Sequence, residues 1–293
     1  MTPASLIRLI LLAAIWGGSY ALLRLVAPVL GGIGTMWTRI AVGGVAMLVI
    51  AFALSRNLEW RRWKWRYLIV GIFNTALPFA LISWAMARLP AGYGAILNAA
   101  APFFTVFFSY AILKERLGTP QWLGMLLGVA GIGAIVRLGP VHVTPEVLTA
   151  IAACIAATAS YGFINVYTKK YLAGAPPMGV AAGSLVLPAL LLTPVGIAAL
   201  PDAWPSMTVV SAVVVLGVVC SAVAYLLYFR LIADAGPTRA VSVTFLVPVF
   251  GALWGAIFFG EAITLPMMGG AALVLVGVGL VLGVIPVGDK VKE

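Results

Sequence analysis

The sequence predicts an all-α membrane protein: ten transmembrane helices arranged as two inverted five-helix repeats around a central cavity. Three observations carry this reading. First, 63% of the 293 residues are hydrophobic and only 9% are charged, with a mean hydropathy of +1.13, which leaves too little polar surface to cover a water-soluble core. Second, the apolar runs are separated by gaps too short to hold a soluble domain. Third, the chain repeats itself. A shift of 146 residues lays Pro102 on Pro248, Phe104 on Phe250, Glu115 on Glu261, Pro120 on Pro266, Gly124 on Gly270, Leu127 on Leu273, Gly131 on Gly277 and Gly133 on Gly279.

A spanning helix needs about 20 predominantly apolar residues. In chain order the segments that qualify are 5–26, 33–54, 67–87, 93–113, 120–138, 147–168, 178–199, 207–229, 238–259 and 265–285. The first has no small-residue cleavage site and reads as a retained helix rather than a signal peptide. The two repeats cover 1–139 and 146–288. Five spans is an odd number, so the second repeat enters the membrane from the opposite face. Within the first spans a shift of 145 places Gly17 on Gly162 and Arg24 on Lys169. Inverted repeats suit alternating access, because two similar halves that exchange conformations turn an outward-open cavity into an inward-open one.

Orientation follows the basic residues. The gap holding Arg56, Arg61, Arg62, Lys64 and Arg66 faces the cytoplasm by the positive-inside rule. The same side collects Arg8, Lys114, Arg116, Lys169, Lys170, Arg230, Arg239, Lys290 and Lys292, against Arg24, Arg39, Arg88 and Arg137 on the other. Both termini are therefore expected in the cytoplasm. Trp60, Trp63 and Trp65 beside that basic gap read as an interfacial belt rather than a base-stacking platform, and the formal charge of +10 calls for no nucleic acid.

Candidate cavity residues come from helices that cannot be regular. A proline inside a helix lacks an N–H and pushes away the carbonyl four residues back. Pro78, Pro102 and Pro248 thus free the carbonyls of Asn74, Asn98 and Thr244, all polar residues. In lipid such groups need a partner or a water-filled cavity, so they read either as acceptors for a substrate ammonium or as packing kinks satisfied by neighbours. Trp16, Ser19 and Tyr20 on the first span, Ser83 and Trp84 on the third, Tyr161 and Asn165 on the sixth, and Tyr225 and Tyr228 on the eighth add aromatic faces and polar handles. Together they favour an apolar or aromatic substrate.

Arg39 is the strongest intramembrane charge, and two roles are open to it: clamping a substrate carboxylate, or snorkelling to the outer interface from about 9 Å deep. Glu115 and Glu261, at span junctions in both halves, read as pins for the turns into Thr119-Pro120 and Thr264-Leu265-Pro266. Gly124-x-x-x-Gly128 and Gly279-x-x-x-Gly283 permit close helix approach, expected within the bundle. Cys154 and Cys220 lie inside apolar runs and read as packing residues, and neither a cofactor nor a metal is expected. No Asp or Glu lies in the middle of a span and the single histidine, His142, lies in a loop. A carrier running down its substrate gradient, or an exchanger, is expected rather than a proton-driven pump. The same inventory supplies neither a catalytic constellation for an enzyme nor the continuous polar lining of a channel.

The run Leu113-x-Glu115-x-Leu117-x-x-x-Gln121-x-x-Gly124-x-x-Leu127-x-x-x-Gly131, echoed from Glu261 to Gly277, resembles the signature of the EamA family within the drug/metabolite transporter superfamily. Trp16-Gly17-Gly18 and Arg39 are similar to positions common there. The second copy departs from the pattern at Met267, where glutamine is expected, and lacks a partner for Arg39. Taken whole, the chain is also similar to the bacterial YddG-type amino-acid exporters of that family. The resemblance implies a ten-helix basket around one cavity, exporting amino acids, particularly aromatic and other apolar ones. The rival within the superfamily is a broad-specificity drug or metabolite exporter. The partners expected are a small-molecule substrate and the lipid bilayer, with no obligate protein partner.

Overall fold

A computed structural model describes residues 2–138, 141–236, 240 and 242–285. Arg239, Lys290 and Lys292, the first residue of the span expected at 238–259 and the outer limits expected for the two repeats lie outside the described residues. All regular secondary structure among the described residues is helical, without a strand. Among the described residues six helices are long and apolar enough to cross a bilayer, and three apolar ones are shorter.

The first helix, α1, runs from Pro3 to Ala53, where two separate spans were expected. Thr2 caps it by accepting from the Ser5 N–H at 3.2 Å. Its two limbs meet at one non-helical residue, Gly31, at φ 64° and ψ 176°. Side chains avoid that backbone region, so only glycine turns the chain there without strain, and the break falls in the gap between the spans expected at 5–26 and 33–54. The next span begins at Trp60, earlier than expected: α2 (Trp60–Gly71) leads through a π-helical turn at Ile72–Ala76 into α3 (Leu77–Met86). The wider turn absorbs Pro78, since the Leu77 N–H reaches back five residues to the Ile72 carbonyl. Trp63 is 4% exposed, with Nε1 donating to Glu59 at 3.0 Å, so it belongs to the packed interior and not to an interfacial belt. Trp65 is exposed.

At Pro102 the helix breaks. α4 (Ala91–Asn98) ends, Ala99 and Ala100 form a turn, and α5 (Ala101–Phe108) restarts with proline at its second position, where no N–H is needed. A second π-helical turn, Ser109–Leu113, follows. Then come α6 (Thr119–Leu138), α7 (Pro145–Tyr171), α8 (Pro177–Leu191) and α9 (Thr193–Ala198). α10 (Met207–Val214) passes through a π-helical stretch at Val215–Val223 into α11 (Ala224–Ala235). The last two are α12 (Val243–Phe259) and α13 (Leu265–Val281). α12 runs unbroken through Pro248, so equivalent prolines break one helix and only punctuate the other.

Packing repeats as the sequence does. A Cβ on Gly17 would overlap the Phe250 Cβ and the Gly251 nitrogen, and one on Gly162 the Phe104 Cβ and the Thr105 nitrogen. One on Gly71 would strike Pro188 and the Ser184 carbonyl, and one on Gly217 Val42 and the Gly43 nitrogen. Each pair of contacts is a single contact made twice, once from each half. The closest approach joins α6 to α13, where Gly124 meets the Gly277 carbonyl and Gly131 the Gly270 carbonyl. Residue numbers rise along one helix as they fall along the other, so these two run antiparallel. Of the glycines singled out from sequence, Gly124 and Gly128 both serve this contact, the Gly128 nitrogen facing Gly277 while its own Cβ position faces Phe103, whereas Gly283 sits at φ +67°.

Gly17→Ala should cost about 1–3 kcal/mol by overpacking, because the Gly251 nitrogen and the Val247 carbonyl it meets are backbone and cannot rotate away. Gly18→Ala, whose Cβ would lie 3.4 Å from Trp254, should be close to neutral. Thermal unfolding of the two variants in detergent checks the difference.

Candidate functional site

A cavity of about 370 Å³ lies where the two repeats meet. The first limb of α1 contributes Trp16, Ser19 and Tyr20, and the second limb Arg39. Asn74 comes from the π-helical turn before α3, and Cys220 and Ser221 from the one before α11. These two irregular turns are equivalent under the 146-residue shift, and both form wall. π-Bulges are common at functional sites, because the extra residue re-aims side chains that a regular helix would bury. The remaining polar and aromatic lining is Asn98, Thr105, Tyr161, Asn165, Tyr225, Tyr228 and Thr244, beside Phe79, Pro102 and several aliphatic groups.

Most of the residues chosen from sequence therefore share one cavity, and Ser83 and Trp84 do not. Ser83 lies on α3 beside Ile82, which lines the cavity, but is not itself among the lining residues. It is fully buried, and its Oγ has no hydrogen-bond partner. Trp84 packs at the end of α3 under the Arg88 guanidinium, 4.0 Å from the ring centre, against Gly32. Phe79, Cys220 and Ser221 were not chosen. Their signal was in the repeat: the shift carries Asn74 to Cys220, Thr75 to Ser221 and Phe79 to Tyr225.

The polar groups of the wall are partly tied to each other. Asn74 Nδ2 donates to the Tyr225 hydroxyl at 2.9 Å, joining the halves, and Asn165 Nδ2 donates to Thr105 Oγ1 at 3.2 Å. Ser19 Oγ donates to the Trp16 carbonyl at 2.6 Å. The Trp16 and Tyr228 rings meet at 5.5 Å between centres. Asn98 lies beside the Tyr20 hydroxyl, and its Oδ1 accepts no hydrogen bond.

Arg39 does not snorkel. It is 5% exposed, donates from Nε to Ser221 Oγ at 3.1 Å and lies over the Phe79 ring at 3.9 Å. No carboxylate pairs with it among the described residues. Its equivalent under the 145-residue shift is Ser184, whose carbonyl accepts from Thr75 Oγ1 at 2.6 Å. The same helix-to-helix junction is thus charged in one half and neutral in the other.

Outside the cavity, Glu261 pairs with Arg24 and also accepts from the Ala91 N–H at 2.8 Å and the Gly92 N–H at 3.3 Å. It caps α4, a helix of the other half, not the turn that follows it. Glu115 pairs with Lys169 at 2.7 Å. The turns expected to need these glutamates are capped by their own residues, Gln121 accepting from Gly118 and Thr264 from Met267. The two ion pairs are equivalents under the shift and stand at opposite ends of the Ala91–Leu113 span.

Residues 4–137 and 148–283 each match the EamA-like transporter family. The chain belongs to that family. It is a multi-pass membrane protein of a family of transporters rather than enzymes. An uncharacterized transporter of Archaeoglobus fulgidus is 23% identical over 279 residues, 94% of this chain and 97% of that one. A protein of Streptantibioticus cattleyicolor described as a probable terminal-alkyne amino-acid exporter is 26% identical over 280 residues, 93% of this chain and 91% of that one. A solved crystal structure with 20% sequence identity covers 96% of both chains at a TM-score of 0.66, a likeness of fold.

Proposed function

We propose that this EamA protein exports aromatic and other apolar amino acids from a bacterial cell, by alternating access through the central cavity of ten spans in two inverted five-helix repeats. The observation that carries this reading is the cavity itself, drawn from both repeats, walled by aromatic rings and holding one buried cation. The Streptantibioticus relative supports an amino-acid cargo. The antiparallel α6–α13 contact supports inversion, since these are the same helix of each repeat. In this reading residues 1–139 and 146–288 are the two moving halves, and both termini face the cytoplasm.

Contrast between the equivalent ion pairs supports alternating access. Glu261 is 9% exposed and tied to Arg24 and two backbone amides, whereas Glu115 and Lys169 are 47% and 64% exposed. One end of the bundle is drawn together and the other is loose, the asymmetry that two access states of a symmetric frame require. Trp16, Ser19, Tyr20, Asn74, Asn98, Tyr161, Asn165, Tyr225 and Thr244 are proposed to contact substrate together with Arg39. The π-helical turn that absorbs Pro78 and the break at Pro102 shape the wall, and Pro248 stands within the unbroken α12 beside it.

Neither a carboxylate nor a histidine is among the described lining residues, so the carrier is proposed to run downhill or by exchange. Purified protein in liposomes loaded with phenylalanine should take up labelled phenylalanine by saturable exchange, unchanged by an imposed pH gradient. Transport of cationic dyes without amino-acid exchange would return the broad drug-exporter reading, which a lone buried arginine disfavours. Accumulation driven by the pH gradient would end the uncoupled one.

A further inference from the structure

We propose that the cavity selects its cargo by a carboxylate held at Arg39 and makes no demand for an ammonium group, so that apolar monocarboxylates lacking the α-amino group are cargo as well. This rests on the reading of the cavity as the transport site, and it widens the substrate class.

A guanidinium carries five N–H donors in a rigid planar fork. Arg39 uses Nε on Ser221 Oγ at 3.1 Å, and Ser221 Oγ is itself fixed by donating to the Leu216 carbonyl at 3.0 Å. Phe79 covers one face of the plane at 3.9 Å. These two contacts lock the orientation of the fork. Its four terminal N–H groups have no acceptor among the described residues, although the side chain is 5% exposed and lines the cavity. A buried cation with a pre-set fork and no counter-charge is complementary to a carboxylate, which takes two parallel N–H···O bonds.

The rest of the wall carries no charge that would read the other end of an amino acid. Among the described lining residues there is neither Asp nor Glu, and the acceptors are neutral, Asn98 Oδ1 and the tyrosine hydroxyls. A neutral acceptor binds an ammonium without requiring one. Repeat symmetry sharpens this further. Arg39's equivalent is Ser184, and Ser221's is Thr75, which spends its hydroxyl on the Ser184 and Gly71 carbonyls at 2.6 Å each. That half of the frame is closed on itself and uncharged. One charge in a pseudo-symmetric cavity fixes one orientation: carboxylate at Arg39, apolar body toward Trp16 and Tyr228.

The test is displacement of labelled phenylalanine from the purified protein by 3-phenylpropionate, which keeps the carboxylate, and by phenylethylamine and phenylalanine amide, which lack it. We expect 3-phenylpropionate within about tenfold of phenylalanine and the two amines at least roughly 100-fold weaker, the scale of leaving one buried charged partner unpaired. Arg39→Gln should erase this ranking and Arg39→Lys should keep part of it, in variants whose elution and melting match the parent. The proposal is overturned if 3-phenylpropionate fails to displace phenylalanine, or if the amines displace it as well as phenylalanine does. Direct binding of labelled 3-phenylpropionate separates the two readings. If it binds and phenylalanine does not, carboxylate selection stands and the amino-acid cargo falls; if neither binds, both fall.

Discussion

Replacing Glu261 with alanine should destabilise the protein and loosen one end of the bundle, while the equivalent Glu115→Ala change should do neither. The two glutamates occupy the same place in the repeat and make the same kind of ion pair, so a sequence-level argument would assign them equal weight. Burial separates them. Glu261 is 9% exposed and holds Arg24 together with the Ala91 and Gly92 amides. Its removal leaves a half-buried cation unpaired and the α4 N-terminus uncapped, a loss of about 3 kcal/mol or more. Glu115 and Lys169 are 47% and 64% exposed, and a pair so open to solvent contributes about 0–1 kcal/mol. Melting in detergent should fall clearly for Glu261→Ala and barely for Glu115→Ala. Hydrogen exchange at Ala91 and Gly92 should accelerate only in the first. Equal melting losses, or undisturbed exchange at those amides, would remove the claim that this end is latched.

The second large effect is expected at the crossing of α6 and α13. Gly277→Val places a branched side chain against the Gly124 carbonyl, the Gly128 nitrogen and the tip of Phe103, with no space on either side. Overpacking of this kind typically costs about 1–3 kcal/mol and sometimes more. Here the obstacle is backbone, so the helices must separate along their whole glycine contact, and folded yield should drop sharply. Gly269→Ala, on the same helix with nothing within 4 Å of its Cβ, should express and melt as the parent does. Size-exclusion profiles and melting curves of the two variants decide the matter.

The repeat was the most legible feature of the sequence, because a fixed shift survives any uncertainty about where helices begin. It already held pairs that the structure brings into equivalent contacts: Gly17 with Gly162, Arg24 with Lys169, Glu115 with Glu261. It could not show that the contacts cross from one half to the other, because Arg24 and Glu261 are 237 positions apart and only the folded chain joins them. Aromatic and amide residues of the cavity were legible by type. Helix phase was not, and Ser83 and Trp84 were misplaced by counting polar residues without following the turn. Arg39 was ambiguous because depth along a helix says nothing about which way the side chain faces; the Ser221 hydroxyl and the Phe79 ring decide that. Trp63 was read from its basic neighbours, although a nearby Glu59 lets its indole N–H be satisfied in the interior.

Because the glycine and ion-pair contacts interlock the halves, assembly has a timetable. Arg24 enters the bilayer long before its partner exists, and at 5–20 residues per second the ribosome needs roughly ten to fifty seconds to reach Glu261. Arg39 waits nearly as long for Ser221. During that interval the amino-terminal half carries charge and glycine faces whose folded-state partners are not yet made.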